Sequence, residues 1–106
     1  MNGEPRPGIA KAEGTPAVRR DVTVANPQGL HLRPVSAFTK AARAFPGTVT
    51  VVRDGRAVNG KSPLELMMLA AEAGTVLTVE VAGPGAEQAV HALAELLAAP
   101  NFDEAE

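Results

Sequence analysis

Cysteine, tryptophan and tyrosine are absent from the 106 residues, and phenylalanine occurs only at positions 38, 45 and 102. Without a thiol the chain can form no disulfide, offer no thiolate nucleophile and hold no zinc-thiolate site. With so few aromatics, its core must be built from Val, Leu, Ala and Met. That favours thin layers of helix on sheet over a deep pocket for an aromatic cofactor, and no cofactor is expected. Excess positive charge is missing too: ten basic side chains face twelve acidic ones, for a formal net charge of −2. Such a chain has no field to hold nucleic acid or an anionic membrane. No apolar run reaches the length of a membrane span, and the first residues lack the apolar stretch of a signal peptide. A soluble, cytoplasmic, monomeric protein is expected. His31 and His91 have no acidic cluster beside them in sequence, so no metal site is expected.

What is present divides into three parts. Residues 1–17, MNGEPRPGIAKAEGTPA, hold three Gly, three Pro and one large internal apolar residue, Ile9. They cannot bury enough surface to offset their own ordering entropy, and a disordered arm is expected. Residues 18–99 form the folded domain, large enough for one modest core. Residues 100–106, PNFDEAE, read as a flexible acidic tail.

Within the domain, two hydrophobic periods alternate. RRDVTVA (19–25), GTVTVV (47–52), RAVN (56–59) and TVLTVEVA (75–82) alternate with period two and read as strands. Asp54–Gly55 is a hairpin signal between the second and third. Residues 32–45 carry Val35, Phe38, Ala42 and Phe45 at helical spacing, and 86–98 carry Ala86, Ala89, Val90, Leu93, Leu96 and Leu97. SPLELMMLAAEAG (62–74) reads as a further helix stopped by Gly74. The order βαββαβα predicts an α+β open-faced sandwich, a four-stranded antiparallel sheet covered on one face by three helices. A ferredoxin-like split βαβ arrangement with an added helix has the same layers and stays open on the pattern alone.

His31, in GLHLRP (29–34), stands just before the first helical turn. Pro34 fits that turn, where an amide has no carbonyl partner to lose. The ring lies beside unpaired N–H groups and the positive end of the helix dipole, with Arg33 two residues on, a setting that suits an anion. The same dipole disfavours a protonated ring, and an unprotonated imidazole nitrogen is a nucleophile for a phosphoryl group. Histidine can also simply cap a helix. Spacing does not choose between these readings. His91, between Glu87 and Glu95 and off the leucine stripe, reads as a surface residue.

NPQGLHLRP resembles the active-site stretch of HPr, the histidine-containing phosphocarrier family of the bacterial sugar phosphotransferase system. The resemblance runs on through DGRAVNGKS and the last strand and helix, over roughly residues 19–98. It implies the same βαββαβα sandwich and no turnover of its own. His31 would be phosphorylated at Nδ1, with Arg33 supporting the phosphate. Enzyme I, charged by phosphoenolpyruvate, would be the donor and IIA proteins or domains the acceptors.

Ser62 reads first as the cap of the second helix, with Pro63 at its first position and Glu65 completing a capping box. The resemblance adds that this serine is the target of a regulatory kinase, although Pro63 replaces the aliphatic residue common in the family. A regulatory module acting mainly through phospho-Ser62 is the alternative function, and a ferredoxin-like small-molecule binding domain is a third. The second helix carries two apolar stripes, Leu66, Leu69, Ala70, Ala73 and Leu64, Met67, Met68, Ala71. One sheet can bury only one of them. The other must stay exposed, pack under a loop or meet a partner, unless Met68 tucks into the core and only Leu64 and Met67 are visible. In the HPr arrangement Leu32, Ser36 and Lys40 would join Leu64 and Met67 in one docking surface, with Lys40 and Arg43 steering acidic partners.

Overall fold

Alternating valines set the sheet. The computed structural model describes residues 17–100, so the expected arm (1–17) and tail (100–106) lie outside the described residues, save for Ala17 and Pro100. The elements are β1 (Val18–Thr23), α1 (Leu32–Ala44), β2 (Thr48–Arg53), β3 (Arg56–Asn59), α2 (Pro63–Met68), β4 (Val76–Ala82) and α3 (Ala86–Ala98). The four strands form one antiparallel sheet in the order β1-β4-β2-β3. A split βαβ sheet would put β1 in the middle with a parallel neighbour. Here β1 is an edge strand and every pairing is antiparallel, which decides for the open-faced sandwich.

Register places Val22 opposite Leu77, Val49 opposite Val81 and Val51 opposite Val79, so one face of the sheet is continuous branched aliphatic surface. Against it pack Val35, Phe38 and Ala42 of α1, Leu66 of α2 and Val90, Leu93 and Leu97 of α3. Phe38 is fully buried and is the largest such side chain. Burial on that scale contributes about 1.5–3 kcal/mol per large side chain, the main force holding the helices to the sheet. The β2–β3 hairpin turns through Asp54 and Gly55, both at positive φ (47° and 81°), as the two-residue turn requires.

The second helix differs from its expected span. It runs only from Pro63 to Met68, and does not reach Gly74. Leu69 ends it, Ala70 takes a left-handed conformation (φ 52°), and the amides of Leu69 and Ala70 bond back to the carbonyls of Leu66 and Met67. Arg53, from the end of β2, donates through Nη1 to the carbonyl of Leu69 at 2.6 Å and of Ala70 at 3.0 Å. These carbonyls would otherwise lack donors at a helix end. Leu69 and Ala71 are buried from the loop that follows, while Ala70 is exposed. Met68 is 53% exposed and does not tuck into the core.

Candidate functional site

The loop from Val24 to His31 is built by short-range polar contacts on a second loop. Asn26 Oδ1 accepts from the amide of Gln28 at 2.9 Å, and its carbonyl accepts from Gly29 at 2.8 Å, so a buried asparagine closes the turn NPQG. The segment after α2 lies alongside. Val24 donates to Thr75, Gly74 donates to Val24, and Leu30 donates to Ala71 at 2.8 Å. Gly29 has φ +73°, and a Cβ there would sit 2.6 Å from the carbonyl oxygen of Ala71. Only glycine meets both demands.

The chain then enters α1. His31 is the N-cap residue, with extended backbone (φ −110°, ψ −172°), and its carbonyl accepts from Val35 at 3.0 Å. Its side chain makes no capping hydrogen bond. The ring is half-exposed and Arg33 is exposed beside it. Pro34 is buried within the first turn, whose amides point out of the helix without intrahelical carbonyls. With no acidic residue in that turn, the end of α1 is an electropositive mouth with an accessible imidazole at its lip. The side chain is therefore free for chemistry in a way that a capping histidine is not.

Ser62 caps α2. Its Oγ accepts from the amide of Glu65 at 3.2 Å. The reciprocal half of the expected capping box is missing: Glu65 Oε1 accepts from the amide of Asn59 at 2.8 Å, while the Ser62 amide bonds to the Asn59 carbonyl. Lys61 donates through Nζ to the carbonyl of Phe45 at the end of α1, and Arg43 Nε donates to the carbonyl of Lys61. These two cations tie the end of α1 to the start of α2, and Arg43 is engaged in that contact.

Helices α1 and α2 pack against each other. Leu32, Ser36 and Lys40 are exposed at successive four-residue steps on α1. On α2, Leu64 is 71% and Met67 41% exposed. Apolar and basic side chains are thus exposed on these two neighbouring helices, and Met68 is exposed with them. His91 is exposed on α3, where Nδ1 lies 2.7 Å from Arg20 Nη1 and Nε2 3.2 Å from Glu95 Oε2. Both ring nitrogens face a fixed partner, unlike the capless side chain of His31. Among the described residues no group of three His, Asp or Glu side chains could hold a metal ion, and no helix is long and apolar enough to cross a membrane.

The sequence alone did not disclose the support beneath this site: Asn26 in its turn, the Ala71 carbonyl under Gly29, and Arg53 behind Ala70. NPQG carried a turn signal for the first. The other two depend on pairings between distant segments.

Comparison with known proteins bears on this geometry. Residues 18–99 match the family model PTS-HPr, described as the PTS HPr component phosphorylation site. The phosphocarrier protein HPr of Cupriavidus necator is 41% identical over 81 residues, covering 76% of this chain and 91% of that protein. HPr of Haemophilus influenzae is 38% identical over 78 residues, covering 74% and 92%. Among solved structures, the phosphocarrier HPr of Bacillus anthracis superposes with a TM-score of 0.73 at 34% identity, over 76% of this chain and 96% of that one.

Proposed function

This chain belongs to the HPr family of phosphocarrier proteins of the phosphotransferase system, and on that premise we propose that the group it carries is held on His31. As a carrier it has no turnover of its own. The observation that carries the assignment is the half-exposed imidazole at the mouth of α1, which makes no capping bond although it occupies the capping position.

The transfer needs little from the carrier beyond that placement. The unshared pair of Nδ1 forms the new N–P bond as the donor's bond to phosphorus breaks, while the proton stays on Nε2. The outward amides of the first turn and the guanidinium of Arg33 stabilise the three phosphoryl oxygens, and the reverse exchange passes the group on. Enzyme I is the donor in this reading and IIA components are the acceptors. Leu32, Ser36, Lys40, Leu64 and Met67 form the surface on which both dock. An apolar patch with basic flanks suits successive acidic partners, because Leu and Met contribute contact area and Lys40 raises the encounter rate.

Ser62 is the regulatory residue in this reading. A phosphate on its Oγ would stand near the carboxylate of Glu65 and beside Leu64 and Met67, adding nearly two negative charges to the docking surface and repelling an acidic partner. The decisive experiment for the carrier role is incubation with enzyme I and phosphoenolpyruvate, followed by intact mass measurement. The expected result is one acid-labile phosphoryl group, lost in His31→Ala and kept in His91→Ala. An unmodified parent chain contradicts the assignment.

A further inference from the structure

Easily oxidised side chains are few in this chain. Cysteine, tryptophan and tyrosine are absent, and the only sulfur is that of three methionines, Met1, Met67 and Met68. Met67 and Met68 therefore hold all the sulfur among the described residues. Methionine ordinarily fills cores, where packing shields it. Neither of these two is so placed. Met67 is 41% and Met68 53% exposed, while Leu66 and Leu69 on either side of the pair are buried.

The exposure follows from how α2 ends. Arg53 takes the carbonyls of Leu69 and Ala70, and left-handed Ala70 breaks the helix. Leu66, Leu69 and Ala71 supply the core contacts of this segment, and both sulfurs are left outside them. Positions 64, 67 and 68 are spaced i, i+3 and i+4, so exposed Leu64 and the two thioethers share one face of α2. That face is the apolar part of the docking surface assigned above, on a helix that packs against α1.

We propose that Met67 and Met68 are a reversible oxidation site through which a hydroperoxide slows phosphoryl transfer. A sulfur lone pair attacks one peroxide oxygen, and the S–O bond forms as the O–O bond breaks. The hydroxide released takes the proton of the transferred oxygen and leaves as water. Sulfur loses two electrons and the peroxide gains them. The sulfoxide is polar where the thioether was apolar and pliable, so the patch loses contact area for its partners, and methionine sulfoxide reductases restore it. An exposed site needs no unfolding to react or to be repaired. The inference rests on the docking role of α2.

The test uses the full chain and hydrogen peroxide, removed with catalase before enzyme I and phosphoenolpyruvate are added. Peptide mass mapping should find one added oxygen on each of Met67 and Met68. Phosphoryl acceptance should slow about fivefold or more relative to the same chain before peroxide, the scale of an impaired interface residue. Reductases for both sulfoxide epimers should restore the rate. The paired variant Met67→Leu with Met68→Leu still carries Met1, and peroxide should leave its rate unaffected. Each protein is its own reference, so a basal change caused by leucine cancels. Thioethers that stay unoxidised where free methionine reacts would overturn the proposal. So would full-speed transfer by the oxidised chain, or a loss that the paired variant shares. Unoxidised Leu64→Glu separates this from the docking reading. If that variant is slow and the oxidised parent fast, the switch alone fails; if both are fast, the docking surface fails with it.

Discussion

The carbonyl of Ala71 accepts the amide of Leu30 at 2.8 Å and stands where a side chain at Gly29 would have to go. A loop that follows α2 thus supports the loop that presents His31. The position of the ring depends on residues forty places further along the chain.

Gly29→Ala tests that support. It forces a left-handed backbone on a residue with a Cβ and drives that Cβ into the Ala71 carbonyl. Strain of this kind costs about 1–3 kcal/mol. Urea unfolding should show a lower midpoint, and phosphoryl acceptance should slow although His31 and Arg33 are unchanged. An unaltered midpoint would show that the contact carries no constraint.

Arg53 and Ala70 make a second pair of expectations. Arg53→Met removes the donors to the Leu69 and Ala70 carbonyls, and loss of a charged donor of this type costs about 1–2 kcal/mol at a half-exposed site. The NMR signals of Leu30 and His31 should move with it, since Ala71 is next in line. Ala70→Gly relaxes a left-handed alanine and should stabilise the chain by about 0.5–1 kcal/mol. A destabilised glycine variant would contradict the backbone conformation described here.

Ser62→Ala should cost about 1 kcal/mol by removing the cap on Glu65, whereas Ser62→Gly should cost only a few tenths. Thermal unfolding of the two variants separates the capping role from any regulatory one. The regulatory role is read by a protein-serine kinase of this system and intact mass: phosphate on the parent chain and none on Ser62→Ala is the expected result.

Leu64→Glu probes the docking surface. The side chain is 71% exposed, so stability should stay within about 0.5 kcal/mol. Phosphoryl transfer from enzyme I should fall about tenfold or more, a loss of about 1.4 kcal/mol in the encounter complex. Unchanged transfer would place the partner elsewhere.

Much of this molecule is legible in its sequence where information is local. α3 spans the residues its leucine stripe predicts, Ala86–Ala98. The Asp54–Gly55 turn follows from residue type, and Pro34 and Gly29 mark the entry to α1. Helix α2 misleads for a physical reason. LELMMLAAEAG keeps helical composition to Gly74, yet Arg53 from a different strand takes the carbonyls at Leu69 and Ala70 and the helix ends there. Leu69 and Ala71 are then buried from a loop, and Met68 is left in solvent. The row of Arg19, Glu80 and Thr50 across adjacent strands is equally invisible to a linear reading, because strand register creates it. His31 was identifiable as the first residue before a helix. Its freedom from a capping bond became evident only in three dimensions.

The chain contains two histidines, and this makes the central assignment directly measurable. Ring nitrogens labelled with ¹⁵N should show, after reaction with enzyme I and phosphoenolpyruvate, a one-bond coupling to ³¹P at Nδ1 of His31 and an unperturbed His91. Coupling at His91, or at Nε2 of His31, or at neither ring, would contradict the account.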